Sequence, residues 1–343
     1  VQDWDLVVID NGSTDGTVAL LERELRELSQ FRTKMRKELR YEFVRNAENC
    51  GFAGGHNQAM RVTSEELRVK SPPDYVQLLN QDTVLAPDYL EQLIAFMDRT
   101  PQCGAAQGAL LRWDFSKVTA GKGDGRTDLV DTLGLRVLRN RRVVEARTGE
   151  QLATRNSQLA TPIEVFGVSG ALPMYRMAAL QDVALQKSEV RSQKSEVEIF
   201  DEDFFSYKED VDLAFRLRSR GWRAFIVPHA CAWHDRTTAG PRELTDAAAV
   251  DLRRSKSHLV RYHSYKNHLF VLLKNEHLAN LVRHWPWIGW YELRKLAYVL
   301  IRERDTLRAL REVCTRFPIM RAKRRAIMAG WRVEPAEVRK WFR

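Results

Sequence analysis

Three short stretches of this 343-residue chain carry side chains able to do chemistry together. Asn80 and Asp82 close the apolar run Val76-Gln77-Leu78-Leu79. An amide and a carboxylate two residues apart at a strand's carboxyl end can share a divalent cation and its phosphates, because strand alternation sends both to one side. Asp82 could equally cap the helical pattern that opens at Ala86-Pro87-Asp88. Farther on, the segment from Phe200 to Asp212 sets a run of carboxylates among aromatic residues. Glu209 and Asp210 suit the first turn of the helix that follows, where acids meet the positive end of the dipole. Capping does not account for the whole run. A carboxylate beside aromatic walls can have its pKa tuned for proton abstraction. The third stretch, His229-Ala230-Cys231-Ala232-Trp233-His234, lacks a second ligand pair at finger spacing and so does not read as structural zinc. One histidine closing a mixed carboxylate–diphosphate metal site is the sharper reading, and a half-buried, hydrogen-bonded histidine the plainer one.

The elements that must position these groups follow an alternating pattern. Leu6-Val7-Val8-Ile9 reads as a buried strand, ending in the turn-rich Asp10-Asn11-Gly12-Ser13-Thr14-Asp15-Gly16. Val18, Leu21, Leu25 and Leu28 then recur at helical spacing, and Tyr41–Arg45 reads as the next strand. Asn49-Cys50-Gly51-Phe52-Ala53-Gly54-Gly55-His56-Asn57 places three glycines before a helix through Ala59 and Met60. Such a run either presents bare N–H groups to a phosphate or makes a plain tight turn. No Gly-Lys-Ser/Thr follows, so it is not a nucleotide-triphosphate loop of the Walker kind. The strand ending at Asn80 and a helix over 87–98 complete an α/β pattern with a largely parallel sheet. Residues 104–165 read as less regular, with a two-stranded ribbon around Arg139-Asn140-Arg141. Ser169-Gly170-Ala171 interrupts a strand-like run, where Gly170 permits close approach of a ligand or of another strand. Gln186-Lys187-Ser188-Glu189-Val190 returns as Gln193-Lys194-Ser195-Glu196-Val197, a local duplication that lengthens a surface segment. Val211, Ala214, Phe215 and Leu217 lead a helix to Arg220-Gly221, and Ala224–Pro228 is a further strand.

Charge divides the chain in two. Residues 241–343 carry 23 Lys+Arg against 10 Asp+Glu, whereas residues 1–240 carry 32 against 35. We therefore expect a catalytic α/β domain over 1–240 and a basic, amphipathic helical extension over 241–343. A basic tail suits an anionic membrane surface or a nucleic acid. Within it, Trp285, Trp287, Trp290 and Tyr291 precede Leu293, Leu296, Ala297 and Leu300 among arginines, the composition of an interfacial helix. The same pattern also fits a helix packed on the catalytic domain. RNA-reading motifs with interleaved stacking aromatics are absent, which makes nucleic acid the weaker partner. The four cysteines are widely spaced with no CxxC pair, fitting a reducing cytosol, and no apolar run approaches the roughly 20 residues of a membrane span.

The order of these stretches resembles that of the family 2 glycosyltransferases with the GT-A fold, and most closely their rhamnosyltransferase-like branch. The likeness rests on Val-Val-Ile-Asp-Asn-Gly-Ser-Thr-Asp-Gly-Thr, Asn-Cys-Gly-Phe-Ala-Gly-Gly-His-Asn, Leu-Leu-Asn-Gln-Asp, Ser-Gly-Ala and Phe-Asp-Glu-Asp-Phe-Phe-Ser-Tyr-Lys-Glu-Asp-Val-Asp-Leu. A histidine after Pro-His-Ala-Cys-Ala-Trp completes it, and the likeness spans roughly residues 4–275. It implies a Rossmann-like, mixed and mostly parallel sheet flanked by helices, with the chain starting at what would be the family's second strand. It implies donor contacts at Asp10, Asn49, Gly55, Asn57 and Asn80, and a divalent metal (Mg²⁺ or Mn²⁺) on Asp82 and His234. Asp210, with Glu209 beside it, matches the catalytic base, and Ser169, Gly170 and Ala171 fall where donor sugar and acceptor meet. The implied activity is inverting transfer of a sugar, rhamnose among the candidates, from a dTDP- or UDP-sugar to a glycan or lipid-linked acceptor in cell-surface polysaccharide synthesis. The implied place is the cytoplasmic face of the membrane, held peripherally. The competing expectation is a degenerate, non-catalytic GT-A protein that binds membrane or nucleic acid through its basic tail.

Overall fold

The computed structural model describes residues 4–34, 40–65, 72–119, 121, 123–152, 161–186, 197–235 and 246–343. The duplicated Gln-Lys-Ser-Glu-Val segment lies largely outside them. The chain begins with the expected strand, helix and strand: β1 (Asp5–Asp10), α1 (Thr17–Lys34) and β2 (Arg40–Arg45). Next come α2 (Gly51–Glu65), β3 (Tyr75–Gln77), β4 (Thr83–Leu85) and α3 (Tyr89–Asp98). The middle of the chain forms β5 (Cys103–Trp113), α4 (Phe115–Thr119), β6 (Arg126–Thr132), β7 (Leu135–Val137), β8 (Val143–Glu145), β9 (Ile163–Val165) and β10 (Met174–Arg176). After α5 (Met177–Asp182), β11 (Leu185–Gln186) and β12 (Val197–Glu198) come α6 (Glu209–Arg220) and the long β13 (Arg223–His234). The remainder is helical: α7 (Asp246–Ser255), α8 (His258–Asn275), α9 (Leu278–Arg302), α10 (Arg308–Ala329) and α11 (Pro335–Arg339).

Among the described residues, β1 and β2 make a parallel pair, and a mixed sheet runs β3-β10-β5-β13-β4, with β6 on β5 and β9 on β13. Its longest pairing, β5 with β13, is parallel, while β3, β4, β6, β9 and β10 attach antiparallel. The ribbon expected around Arg139–Arg141 is present as the β7–β8 hairpin.

The expectation of irregular structure after residue 104 fails at β5, a central strand buried from Cys103 to Leu111. Its sequence, Cys-Gly-Ala-Ala-Gln-Gly-Ala, is poor in the β-branched residues that mark strands. The reason is crowding. A Cβ on Gly104 would lie 2.9 Å from Trp222, and one on Gly108 would lie 1.9 Å from the carbonyl oxygen of Ala230. Small residues are what let β5 lie between its neighbours.

The C-terminal helices share a core with the sheet domain, in which Phe166, Phe204 and Phe215 meet Phe270 of α8, Met320 of α10 and Val338 of α11. Buried charge joins the same surfaces. Lys274 of α8, fully buried, pairs with Asp201 and, at 2.8 Å, with Asp212. Lys323 of α10 reaches Glu198 at 2.6 Å, Asp201 at 2.5 Å and Asp203 at 3.1 Å. Although burial alone would raise the pKa of Asp201, these two ammonium groups hold it well below the ordinary carboxylate range. The acids of the 200–212 run that capping left unexplained are therefore mostly counter-ions for lysines distant in sequence. Removing one member of such a cluster strands the others in a dry interior. Lys274→Ala is expected to lower stability by about 3–5 kcal/mol in urea unfolding monitored by circular dichroism.

Candidate functional site

Asn80 and Asp82 do not continue a strand. β3 ends at Gln77, and residues 78–82 turn to carry the chain from β3, beside β10, to β4, beside β13. The Asn80 amide donates to Ala171 O at 3.1 Å, and Thr83 Oγ1 donates to Asn80 O at 2.6 Å. The pairing on one cleft follows from this turn and not from strand alternation.

His234 reaches Asp82 through a register change. From Ala224 opposite Ala105, β13 follows β5 residue for residue up to Val227 opposite Gly108, then resumes with Cys231 opposite Ala109. Pro228, His229 and Ala230 are the surplus residues of that bulge. His229 is left exposed, so His229, Cys231 and His234 do not converge. Past the bulge His234 pairs with Thr83 of β4, and the Asp235 amide donates to Asp82 O at 3.0 Å. His234 Nε2 then lies 3.2 Å from Asp82 Oδ1, and Nδ1 lies 2.9 Å from Oδ2 of the fully buried Asp131 in β6. Burial would lower the imidazole pKa, but the hydrogen bonds to Asp131 and Asp82 outweigh it and push it up to about 9. Asp131 was missed from sequence, since one acid in a short strand carries no spacing signal. It holds the ring in one orientation with Nε2 facing Asp82, as carboxylates behind metal-bound histidines do.

A carboxylate oxygen and an imidazole nitrogen at this separation suit a hard divalent cation that takes its remaining ligands from diphosphate and water. Among the described residues no third His, Cys, Asp or Glu joins them. The protein would therefore supply two donors.

Asp210 sits in the first turn of α6, beyond a loop in which Phe205, Tyr207 and Lys208 all have positive φ. Such backbone persists only when its surroundings over-determine it. Asn267 of α8 does so, its Nδ2 donating to the carbonyls of Phe204, Ser206 and Tyr207 at 2.7–2.9 Å. Asp210 Oδ2 accepts the Gly170 amide at 3.0 Å, and Oδ1 accepts its neighbour's amide from Val211 at 2.7 Å. Burial, then the Glu145 carboxylate, raises the Asp210 pKa above its ordinary value against those bonds. Burial, then Asp210 itself, raises the Glu209 pKa well above its ordinary value. Ser169 donates its amide to Gln107 at 3.1 Å and its hydroxyl to Glu145 at 3.3 Å. A Cβ on Gly170 would meet only ordinary contacts at 3.5 Å, so its role is the amide it gives Asp210.

Asn80, Asp82, Ser169, Gly170, Ala171, Glu209, Asp210 and His234 line one cleft of about 690 Å³. Asp10, Asn49, Gly55 and Asn57 do not line it. Asp10 Oδ2 accepts the amides of Gly12 and Ser13 at 3.2 and 3.1 Å, shaping the turn after β1. Asn57 is buried, and its side chain binds the backbone of Ile199 and Phe200 and the Glu202 carboxylate. The glycine run does not precede its helix. α2 begins at Gly51, and the amides of Gly51, Phe52 and Ala53 go to Asn49 Oδ1, Ser206 Oγ and Phe205 O. Those donors are spent on the protein, which removes the phosphate reading of this helix start. Gly55 serves packing, since a Cβ there would lie 3.2 Å from Asn11 Nδ2.

A mixed sheet flanked by helices, with a C-terminal helical region, is the GT-A architecture. The model of the family described as glycosyl transferase family 2 matches residues 1–183, and the chain belongs to that family. No curated protein matches the sequence. Among solved structures, the chain is similar to GalNAc-T7 crystallised with UDP, GalNAc and Mn²⁺, at a TM-score of 0.53 and 11% identity, covering 94% of this chain and 49% of that one. It thus spans about half the length of that protein. A197 from STIV aligns over 67% of this chain and 83% of its own, at 14% identity and a TM-score of 0.32.

The raised His234 pKa has a consequence for the metal-free protein. An unfolded histidine titrates near pH 6.5, so the stabilisation is fully present below that value and is lost as pH rises through about 9. In chelator, the stability advantage of the wild type over His234→Gln is expected to fall by on the order of 3 kcal/mol across that window. Urea unfolding at a series of pH values measures it; a flat difference would place the ring outside the Asp82–Asp131 pair.

Proposed function

We propose that the chain transfers a sugar from a nucleotide diphosphate to an acceptor hydroxyl, with inversion at the anomeric carbon. The observation that carries this reading is the meeting on one cleft of Asp82 with Asp210 and His234, both more than 120 residues further along the chain. A divalent cation, Mg²⁺ or Mn²⁺, held by Asp82 and His234 would supply positive charge opposite the departing diphosphate. Asp131 keeps His234 Nε2 directed at that position. Asp210, oriented by the Gly170 and Val211 amides, takes the acceptor proton as the acceptor oxygen forms its bond to the anomeric carbon. The bond to the diphosphate breaks, and the leaving nucleotide keeps the electron pair. A carboxylate raised above its ordinary pKa is the stronger base for this task. Glu209 beside it, its pKa raised by burial and by Asp210, lines the same cleft. Asn80 and the Ser169–Ala171 segment line the cleft where donor sugar and acceptor would adjoin.

A pyrimidine donor, UDP- or dTDP-linked, is supported by the likeness to a UDP-binding neighbour and by the sequence resemblance, which also makes rhamnose a candidate sugar. Asp10, Asn49, Gly55 and Asn57 then contribute to the donor side through the β1–α2 scaffold they hold together. A glycan or lipid-linked acceptor at a cytoplasmic membrane face is supported by α9. Leu278, Val282, Trp285, Trp290, Leu293 and Ile301 stand 60–71% exposed along it, while His284, Ile288 and Val299 are buried beneath. Exposed tryptophans with arginines alongside suit an anionic interface. No helix among the described residues is long and apolar enough to cross a membrane.

Asp210→Asn is expected to abolish transfer, by about 10²-fold or more, while UDP binding in Mn²⁺ stays within twofold of wild type. Transfer assays on nucleotide-sugar panels and calorimetry with UDP check the two halves; a variant with normal turnover removes Asp210 from the reaction. Trp290→Ser with Leu293→Ser is expected to reduce flotation with vesicles containing anionic lipid, and flotation independent of anionic lipid would count against the membrane reading.

A further inference from the structure

The cleft has two unlike ends. Asp82 and His234 stand on the sheet side, whereas the wall built from the C-terminal helices is cationic. Arg253 of α7, Lys256 just after it, Arg261 of α8, and Arg294 and Lys295 of α9 all line the cavity, joined by Lys208 from the strained loop before Asp210. Two acids, Glu303 and Glu292, meet these six cations, and the Glu292 carboxylate also acts on Lys208 and Lys295. Glu303 takes Arg253 at 2.6 Å and lies 3.9 Å from Arg261, and Glu292 takes His268 at 2.5 Å. Lys208 and Lys295 form no ion pair among the described residues, and Lys295 rests over the rings of Tyr265 and Tyr291. Burial, and then the charges of Lys208 and Arg253 beyond the opposing Glu292, lower the Lys295 pKa to about 7. Lys208 in turn feels Asp210 and Glu292. The cationic pair therefore begins where the base ends.

We propose that Lys208, Arg294 and Lys295 bind a phosphate carried by the acceptor, placing its hydroxyl beside Asp210. This deepens the sugar-transfer reading and rests on it. Like charges gathered in a part-dry cavity repel one another, and an anion of charge near −2 relieves that repulsion while accepting several charge-assisted hydrogen bonds. Tyr291 and Tyr298 lie on the same wall and provide apolar surface beside the charge. The metal-side acids exclude a second anion from their own end unless a cation accompanies it. One cavity thereby separates two phosphate-bearing ligands, the metal-bound donor diphosphate at the sheet and the acceptor phosphate at the helices. The donor's diphosphate is the other source of phosphate that could reach this wall, and the two sources are separable by competition.

The test uses the full chain with UDP and Mn²⁺ at saturation, titrated with glycerol 3-phosphate and, in parallel, with uncharged glycerol. Wild type is expected to bind the phosphate ester without losing UDP and to ignore glycerol. Lys208→Gln with Lys295→Gln should weaken glycerol 3-phosphate by about tenfold or more, with UDP affinity within twofold. Arg294→Gln, on an exposed position of α9, should weaken it in the same direction without disturbing packing. Displacement of UDP by the ester would assign the wall to the donor's diphosphate and overturn the proposal. So would UDP binding without ester binding, or variants that bind the ester as wild type does. Should UDP itself not bind, the sugar-transfer reading fails instead, and ester binding to the free chain, lost in the double variant, still decides the character of the wall.

Discussion

Everything at the cleft depends on a buried exchange of charge between Asp201 and Asp212 on one side and Lys274 and Lys323 on the other. The segment that leads into Asp210 is otherwise poorly held, for it includes three non-glycine residues at positive φ within four positions. The two lysines come from α8 and α10, and they fix the start and the far side of that segment against the helices. Asn267 then sets the carbonyls between them. Ions in a dry interior add little net stability over apolar packing. What they do supply here is position, because each acid has few places where its charge is met. The C-terminal helices are thus part of the site's construction.

The other half of the site is set by backbone crowding. β13 gains three residues against β5 at Pro228–Ala230, and that surplus is possible because Gly108 leaves room for the Ala230 carbonyl. The new register delivers His234 to Asp82 across the β4 pairing, with Asp131 behind the ring. A bulge beside a functional group re-aims it without lengthening the sheet. The same economy explains the glycines of α2. They let the helix close on Asn11 and on the Phe205–Ser206 loop, and its first amides hold that loop.

Two faces of α9 link the site to its surroundings. One arc presents Trp285, Trp290 and Leu293 outward, and the neighbouring arc sends Tyr291, Lys295 and Tyr298 into the cleft. A helix placed this way couples whatever covers its outer face to the wall of the cleft near Asp210. Charge on that wall is opposite in sign to the charge at the sheet end, so the cavity has an electrostatic direction as well as a shape.

Much was legible in the sequence. Apolar periodicity marked β1, α1, β2, α3 and α6, and residue type with the order of the motifs singled out Asp82, Asp210 and His234 as candidates. These signals are local, set by alternation, dipoles and turn chemistry within a few residues. Tertiary structure alone decided the rest. It showed that the acids around Asp201 answer lysines more than 60 residues away, and that Asn57 and the α2 amides serve the protein's own backbone. It also brought Asp131 behind His234 and revealed β5 as a central strand, hidden by the small residues its neighbours require. Those outcomes depend on which distant groups share a desolvated space, and a linear pattern carries no record of that.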